Sequence, residues 1–137
     1  MTSHKQEIIE FLEKEFPQAL KKNTIEKIIP KGAHTLYRVD QDDLRPGQTI
    51  SGPTLMLVAD LALYIAILGH VGIVAMAVTT NMNINFLRKP HGKQDIRAIC
   101  NLIKIGKTLI VGEVWLYSVG VEEPVAHVTA TYAIPQK

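Results

Sequence analysis

The pattern of apolar and polar residues near the N-terminus predicts an amphipathic helix. Between residues 5 and 16, the apolar side chains fall close to one helical face, and lysines and glutamates occupy the rest of the surface. Pro17 ends this pattern or follows directly after it. The residues on the apolar face are Ile8, Ile9, Phe11, Leu12 and Phe16.

A second and longer helix is predicted from about Pro53 to Leu68. Ser51 is suited to cap its N-terminus, and Gly69 is predicted to end it. The segment is apolar nearly all round, so other parts of the protein must cover it on most sides. Its hydropathy resembles that of a membrane span, but Asp60 and several glycines interrupt the apolar run. We therefore interpret residues 54–78 as a buried helix followed by a buried strand.

Strands are predicted on both sides of the long helix. Two short strands, at residues 24–29 and 33–39, come first and are followed by a polar loop at residues 40–50. Four longer strands follow the helix, at residues 78–86, 95–104, 108–118 and 125–134. The short separations of the last three suit antiparallel hairpins or a meander. This order predicts an α+β fold in which a curved antiparallel sheet wraps around the long central helix.

The strand at residues 78–86 is predicted to have one apolar and one polar face. Strict alternation places on the apolar face Val78, Thr80, Met82, Ile84 and Phe86. It places on the opposite face Thr79, Asn81, Asn83 and Asn85. Three asparagines in one strand run against β propensity, so they are predicted to form the outer sheet face or a contact between subunits.

Composition and charge limit the kind of protein this can be. The chain has 137 residues, of which 47% are hydrophobic and 20% charged, so one domain over residues 1–137 is expected, with a core at about 24–134. The net charge of +2 argues against nucleic-acid binding. The N-terminal segment lacks the apolar core of a signal peptide, and Cys100 is the only cysteine, so we expect a cytoplasmic protein without disulfides or a membrane partner. The scattered histidines predict no metal site, and no cofactor is predicted.

Asp60 is the strongest candidate for a catalytic residue in the sequence. It is the only charged residue between Arg45 and Arg88, and it lies within the apolar helix. An ionised carboxylate is costly in such a place unless other groups compensate for its burial. A carboxylate held in apolar surroundings is a candidate general base or nucleophile. The alternative is a structural carboxylate that the fold satisfies by hydrogen bonds.

Three stretches occur in order between about Leu44 and Ile134. The first joins Ser51-Gly52-Pro53 to a helix that contains Ala59-Asp60, the second spans residues 81–90, and the third spans residues 105–132. Together they resemble the hotdog-fold thioesterases of the phenylacetic-acid-degradation (PaaI) type. The first stretch is similar to the family's His-Gly-Gly segment and the Ala-Asp motif of its helix.

The resemblance implies a hotdog fold, a homodimer that is often a dimer of dimers, and an acyl thioester of coenzyme A (acyl-CoA) as substrate. It implies that Asp60 acts as nucleophile or general base and that the backbone N–H of Gly52 is an oxyanion-hole donor. It also implies that Thr79 positions the water or the carboxylate. Ser51 stands in place of the family's histidine, and Pro53 in place of its second glycine. Because proline has no N–H, the oxyanion hole relies on Gly52.

Further residues are candidates for binding the substrate. Leu57, Leu61 and Tyr64 suit a medium-chain or aromatic acyl group. The phosphates of the coenzyme need exposed cations, although strand-end cations are commonly solvated. The candidates for this role are Arg88, Lys89, Lys104 and Lys107. Ser51 and Asn81 complete the candidate substrate-binding set.

The spacing of Gly52 and Asp60 predicts an active site between two chains. Eight residues of helix span about 12 Å, whereas reacting groups must approach to within about 3–3.5 Å. One thioester carbonyl cannot contact both residues of the same chain. We therefore expect the Asp60 of one protomer to face the Gly52 of its partner.

Two other functions stay open at this point. A hotdog-type dehydratase or hydratase would need a histidine with an acidic partner, and no histidine lies within or beside residues 51–60. A non-catalytic acyl-CoA binder, or a structural hotdog dimer, is favoured by the departures at Ser51 and Pro53. Exchange of Asp60 for asparagine distinguishes catalysis from binding, because only catalysis requires the carboxylate.

Overall fold

The computed structural model describes residues 4–136 and shows a long helix packed against a six-stranded sheet. The elements are α1 (Lys5–Glu15), β1 (Asn23–Ile29), β2 (Gly32–Tyr37), β3 (Leu44–Arg45), β4 (Thr49–Ile50), α2 (Gly52–Val71), β5 (Val78–Phe86), β6 (Ile96–Ile105), β7 (Leu109–Ser118) and β8 (Ala126–Ala133). Short 3-10 helices occupy Pro17–Leu20 and Gln41–Asp43.

The main sheet is antiparallel throughout, and its strand order is β1-β2-β6-β7-β8-β5. Strands β6, β7 and β8 form the predicted meander. Strand β5 lies at the edge, next to β8 rather than next to the strand that follows it in sequence. The predicted polar loop contains the small β3–β4 hairpin. The α+β architecture, with a sheet around a long central helix, is confirmed.

Helix α2 is the centre of the core. Every residue from Leu61 to Gly69 is buried, and alternate residues of β7, such as Ile110 and Val114, are fully buried. By length and composition alone α2 could cross a membrane, yet 72% of its apolar window is buried inside the protein. The predicted buried helix is therefore confirmed. The predicted buried strand directly after it is wrong, because residues 72–77 form an irregular connection and β5 begins at Val78.

The C-terminus of α2 lies beyond its predicted end. The helix continues through Gly69 to Val71 and ends at Gly72, whose φ of 96° favours glycine. Gly69 is needed for close packing, because a Cβ at this position would lie 2.8 Å from Cγ2 of Ile28 in β1. The prediction that Gly69 ends the helix is wrong for this reason.

Exchange of Gly69 for alanine is expected to lower the free energy of unfolding. Alanine is better than glycine in a helix interior by about 1 kcal/mol, but overpacking of a closed core costs about 1–3 kcal/mol. We therefore expect a net loss of up to about 2 kcal/mol in urea unfolding. In an Ile28→Ala background, the same exchange should stabilise the protein. Stabilisation in the wild-type background would contradict the packing role.

Strand β5 contains a bulge that changes the predicted faces. Its register with β8 shifts between Thr79 and Asn81, so Thr80 is an extra residue in the ladder. Thr79 then opposes Tyr132, whose side chain is buried. Directly opposed residues share a sheet face, so Thr79 lies on the inner face. The predicted placement of Thr79 beside the asparagines is wrong, because strict alternation does not hold across the bulge.

The outer face of β5 carries the three asparagines, as alternation predicts. Asn81, Asn83 and Asn85 oppose outward-facing residues of β8 and are exposed. Val78 opposes Ala133 and also points outward, so its predicted place on the apolar face is wrong.

Candidate active site

Asp60 lies on the one side of α2 that the sheet leaves partly open. Pro53, Met56, Leu57 and Asp60 recur at helical spacing and are exposed or half-buried. These four residues line a shallow depression together with the inner face of β5. The carboxylate therefore borders solvent, although the helix that carries it forms the core.

Two hydroxyl groups donate hydrogen bonds to one oxygen of Asp60. Thr79 Oγ1 lies 2.5 Å from Oδ1, and the phenolic oxygen of Tyr132 lies 2.8 Å from the same atom. The Tyr132 hydroxyl is also 3.2 Å from the backbone carbonyl oxygen of Asp60. Within residues 4–136, no group donates a hydrogen bond to Oδ2. The two carboxylate oxygens are therefore in different environments.

Tyr132 acts in this cluster as a donor. Burial and, after it, the negative charge of Asp60 raise the pKa of Tyr132 well above its usual range. The phenol therefore stays protonated at neutral pH, and its single proton points to the carboxylate. Sequence analysis did not identify Tyr132, and the available signal was the alternation of apolar and polar residues along the last strand.

A cavity of about 440 Å³ adjoins Asp60. Its size lies within the range of small-molecule sites. The predicted acyl-contact residues Leu57, Leu61 and Tyr64 all line it, together with Asp60 and Thr79. The other lining residues are Phe11, Glu15, Phe16, Ala75, Met76, Ala77, Val78 and Tyr132. Helix α1 thus supplies one wall, which sequence analysis did not predict.

Three aromatic rings form a row along the cavity. The ring of Phe16 lies edge-on to that of Tyr64, and Tyr64 stacks on Tyr132, each pair with centroids 6.3 Å apart. The Tyr64 hydroxyl donates to the carbonyl oxygen of Ala75 at 3.1 Å, which ties the connection after α2 to the helix. Part of the cavity wall therefore consists of packed aromatic side chains, to which the irregular connection after α2 is tied.

The N-terminus of α2 carries a free backbone N–H. The N–H of Thr54 donates to Ser51 Oγ, and that of Leu55 to the Ser51 carbonyl oxygen, both at 3.2 Å. Pro53 has no N–H. Among the described residues, the N–H of Gly52 has no acceptor. It lies at the positive end of the helix dipole, which suits an oxyanion-hole donor. The Ser51 side chain is engaged as the N-cap.

A buried polar network holds the start of α2 in place. The carboxylate of Asp43 accepts hydrogen bonds from Thr54 Oγ1 at 3.0 Å, Tyr37 OH at 2.8 Å and Lys22 Nζ at 2.5 Å. Its backbone carbonyl oxygen accepts the Ser51 N–H at 2.8 Å. Burial opposes both charges, but the hydrogen bonds outweigh it, so the pKa of Lys22 is raised and that of Asp43 is lowered. Both groups stay charged and fix the segment that leads into Gly52.

The two parts of the candidate site lie at opposite ends of β5. Asp60 contacts Thr79 near the N-terminal end of this strand. Gly52 lies beside its C-terminal end, because a Cβ on Gly52 would be 3.2 Å from Cζ of Phe86. One chain therefore does not bring Asp60 and Gly52 together.

The remaining predicted binding residues are also separated within one chain. Arg88 and the exposed Lys89 follow the C-terminal end of β5, where Arg88 pairs with Glu123 at 2.9 Å. The exposed Lys107 lies in the β6–β7 turn, at the opposite end of the sheet. Asn81 lies on the outer face, away from the cavity.

Comparison with known proteins identifies the family. The thioesterase superfamily matches over residues 47–125. The chain is also 39% identical to a proposed thioesterase from a Silicibacter species, over 97% of this chain and 92% of that one, with a TM-score of 0.89. No protein with a curated description matches the chain.

More distant structures share the fold. Escherichia coli PaaI, from the phenylacetic acid degradation operon, is 19% identical over 96% of this chain and 93% of its own, with a TM-score of 0.84. A hypothetical thioesterase from Streptococcus pneumoniae, solved with coenzyme A, is 17% identical over 94% of this chain and 98% of its own, with a TM-score of 0.78. These likenesses confirm the predicted hotdog fold. The chain therefore belongs to the thioesterase superfamily, as a hotdog-fold protein similar to the PaaI-type thioesterases.

Proposed function

We propose that this protein hydrolyses acyl-CoA thioesters at a site shared by two copies of the chain. The observation that carries the proposal is the carboxylate of Asp60, which two hydroxyls hold at the edge of a largely apolar cavity. The cavity suits an acyl group, and the carboxylate suits attack on the carbonyl next to it. The Gly52 N–H supplies the second requirement, stabilisation of the oxyanion.

The reaction adds water to the thioester carbonyl carbon and breaks the C–S bond. As a general base, Asp60 accepts a proton from the attacking water, and a proton passes to the departing coenzyme A sulfur. As a nucleophile, Asp60 forms a mixed anhydride, which water then opens to the free acid. Label in the Asp60 carboxylate after single-turnover hydrolysis in H₂¹⁸O identifies the nucleophilic route, because water that opens the anhydride at the Asp60 carbonyl leaves its oxygen there.

An exposed apolar surface beside β5 supports a homodimer. No residue of β5 is buried within one chain, although the strand has nine residues. On α2, Met56 and Leu57 are 40% and 47% exposed, and Phe86 of β5 is 53% exposed. An unpaired edge with apolar neighbours is a surface that another copy can cover by strand pairing.

Antiparallel pairing of two β5 edges would complete the site. A twofold axis near Met82, at the middle of β5, brings the Thr79 end of one strand to the Phe86 end of the other. Asp60 lies at the first end and Gly52 at the second. Each dimer would then contain two identical sites, each with Asp60 from one protomer and Gly52 from its partner.

The same pairing gathers the candidate cations. Lys107 lies near the Val78 end of β5, because Leu109 and Val78 both pair with Ala133. Arg88 and Lys89 lie beyond the other end. The dimer would therefore place Lys107 of one protomer on the same side as the partner's Arg88 and Lys89, where they can bind the coenzyme phosphates.

A second contact between dimers is proposed at the outer sheet face. This face carries the exposed asparagines of β5 and the half-buried aromatic side chains of Trp115 and Tyr117 on β7. Apolar rings interspersed with amides are common where protein surfaces meet. A homotetramer would thus arise without blocking the cavity on the inner face.

The function is tested with purified protein and a panel of acyl-CoAs that includes medium-chain and aromatic acyl groups. We expect multiple turnovers, measured by release of the free coenzyme A thiol. The best substrates should carry acyl groups that the cavity of about 440 Å³ can hold. Stoichiometric binding without thiol release would overturn the proposal and favour a non-catalytic acyl-CoA binder.

A further inference from the structure

We propose that Tyr132 is a positioning residue of this site, whose hydroxyl acts with that of Thr79 to fix Oδ1 of Asp60 and leave Oδ2 as the reacting oxygen. This inference rests on the proposed catalytic role of Asp60. It assigns a task to a residue on the last strand and to each oxygen of the carboxylate.

The two hydrogen bonds break the symmetry of the carboxylate. The terminal torsion of an aspartate is broad, so its two oxygens can exchange places unless hydrogen bonds hold them. Here both donors reach the same atom, at 2.5 Å from Thr79 and 2.8 Å from Tyr132. Such short bonds to a charged acceptor are strong and directional. They hold the carboxylate plane and leave the lone pairs of Oδ2 for the reaction.

Packing does not explain the hydroxyl of Tyr132, because the ring of phenylalanine would fill the same space. The side chain is only 3% exposed, and its ring stacks on Tyr64. A buried hydroxyl is costly unless it is hydrogen-bonded. Among the described residues, the acceptors of this hydroxyl are two oxygens of Asp60. The hydroxyl therefore serves to bind Asp60 rather than to pack the core.

The backbone fixes the two donors as a unit. Thr79 and Tyr132 are directly opposed across β5 and β8 because the bulge at Thr80 turns Thr79 inward. Donors on paired strands move little relative to one another, so they can hold a reacting group more tightly than loop residues can. The bulge thus brings the two hydroxyls together, and the hydroxyls orient the carboxylate of Asp60.

The proposal is tested with Tyr132→Phe, which keeps the ring and removes the hydroxyl. We expect kcat for acyl-CoA hydrolysis to fall about tenfold or more, as for loss of one hydrogen bond to a charged group. KM should stay within about threefold, because the cavity wall is unchanged. Tyr117→Phe, on the outer face, is the matched control and should retain the wild-type kcat.

A double-mutant comparison separates positioning from a structural role. In the Asp60→Asn background the carboxylate that the hydroxyl orients is absent, so Tyr132→Phe should leave the residual rate unchanged. A merely structural role would lower the rate by the same factor in both backgrounds.

The outcomes distinguish this inference from the proposed function. If Asp60→Asn keeps the wild-type rate, the proposed function fails. If Asp60→Asn is inactive but Tyr132→Phe keeps the wild-type kcat, only the positioning role fails. If Tyr132→Phe does not fold, Thr79→Val is used instead. Thr79 is exposed, and this exchange removes the other hydroxyl that donates to Oδ1. A lower kcat with little change in KM is again expected, and a wild-type kcat would overturn the inference.

Discussion

Exchange of Asp60 for asparagine is expected to lower kcat for acyl-CoA hydrolysis by about 100-fold or more, the usual effect of removing a catalytic acid or base. Asparagine has nearly the same shape, and its carbonyl oxygen can still accept hydrogen bonds from Thr79 and Tyr132. It offers no basic or nucleophilic oxygen. The fold and the cavity should therefore persist while turnover is lost, as measured by thiol release.

The control for this exchange is Asp42→Asn. Asp42 is an exposed aspartate of the loop before α2 and contributes no side chain to the cavity. It should retain the wild-type kcat. Binding of a non-hydrolysable acyl-CoA thioether by Asp60→Asn should match that of the wild type. Equal hydrolysis rates in wild type and Asp60→Asn would show that Asp60 is a structural carboxylate.

Two inactive variants are expected to restore activity when they share a dimer. Asp60→Asn lacks the carboxylate, and in Gly52→Val the added side chain blocks approach of the thioester to the backbone N–H. A mixed dimer contains one site with Asp60 from the second chain and Gly52 from the first, and that site is intact. Random exchange makes half of the dimers mixed, each with one working site of two, so about a quarter of the wild-type activity should return.

The complementation is measured after the two variants are unfolded together and refolded, or after they are co-expressed with different tags. Each variant refolded alone gives the background rate. Recovery would place Asp60 and Gly52 of one site on different chains. A mixture that stays at background, although mixed dimers are isolated by their two tags, would place the site within a single chain.

Much of the fold could be predicted because burial leaves a local pattern in the sequence. The residues from Leu61 to Gly69 are apolar without a break, which is typical of a helix covered on all sides. Strands β6, β7 and β8 alternate between buried and half-buried residues over most of their length. Asp60 was identifiable as a lone charge within an apolar helix, and the cavity beside it contains three predicted acyl-contact residues.

Other features depend on contacts between distant segments and could not be predicted. The position of Gly69 inside α2 depends on its approach to Ile28, which lies in a strand far away in sequence. The inward turn of Thr79 depends on a shifted register with Tyr132. The wall that α1 adds to the cavity depends on how two helices pack. In each case the local sequence is compatible with more than one arrangement, and tertiary packing selects one.

The extra residue at Thr80 lets Thr79 and Met82 share a sheet face although they are three positions apart. Without Thr80 the ladder would be regular, because Thr79 would still oppose Tyr132 and Asn81 would still oppose Thr131. Deletion of Thr80 should therefore keep Thr79 beside the carboxylate and leave Met82, Ile84 and Phe86 in place. For a strand that lacks the extra residue, an alignment without a gap at this point would match Thr79 to a residue that faces the other way.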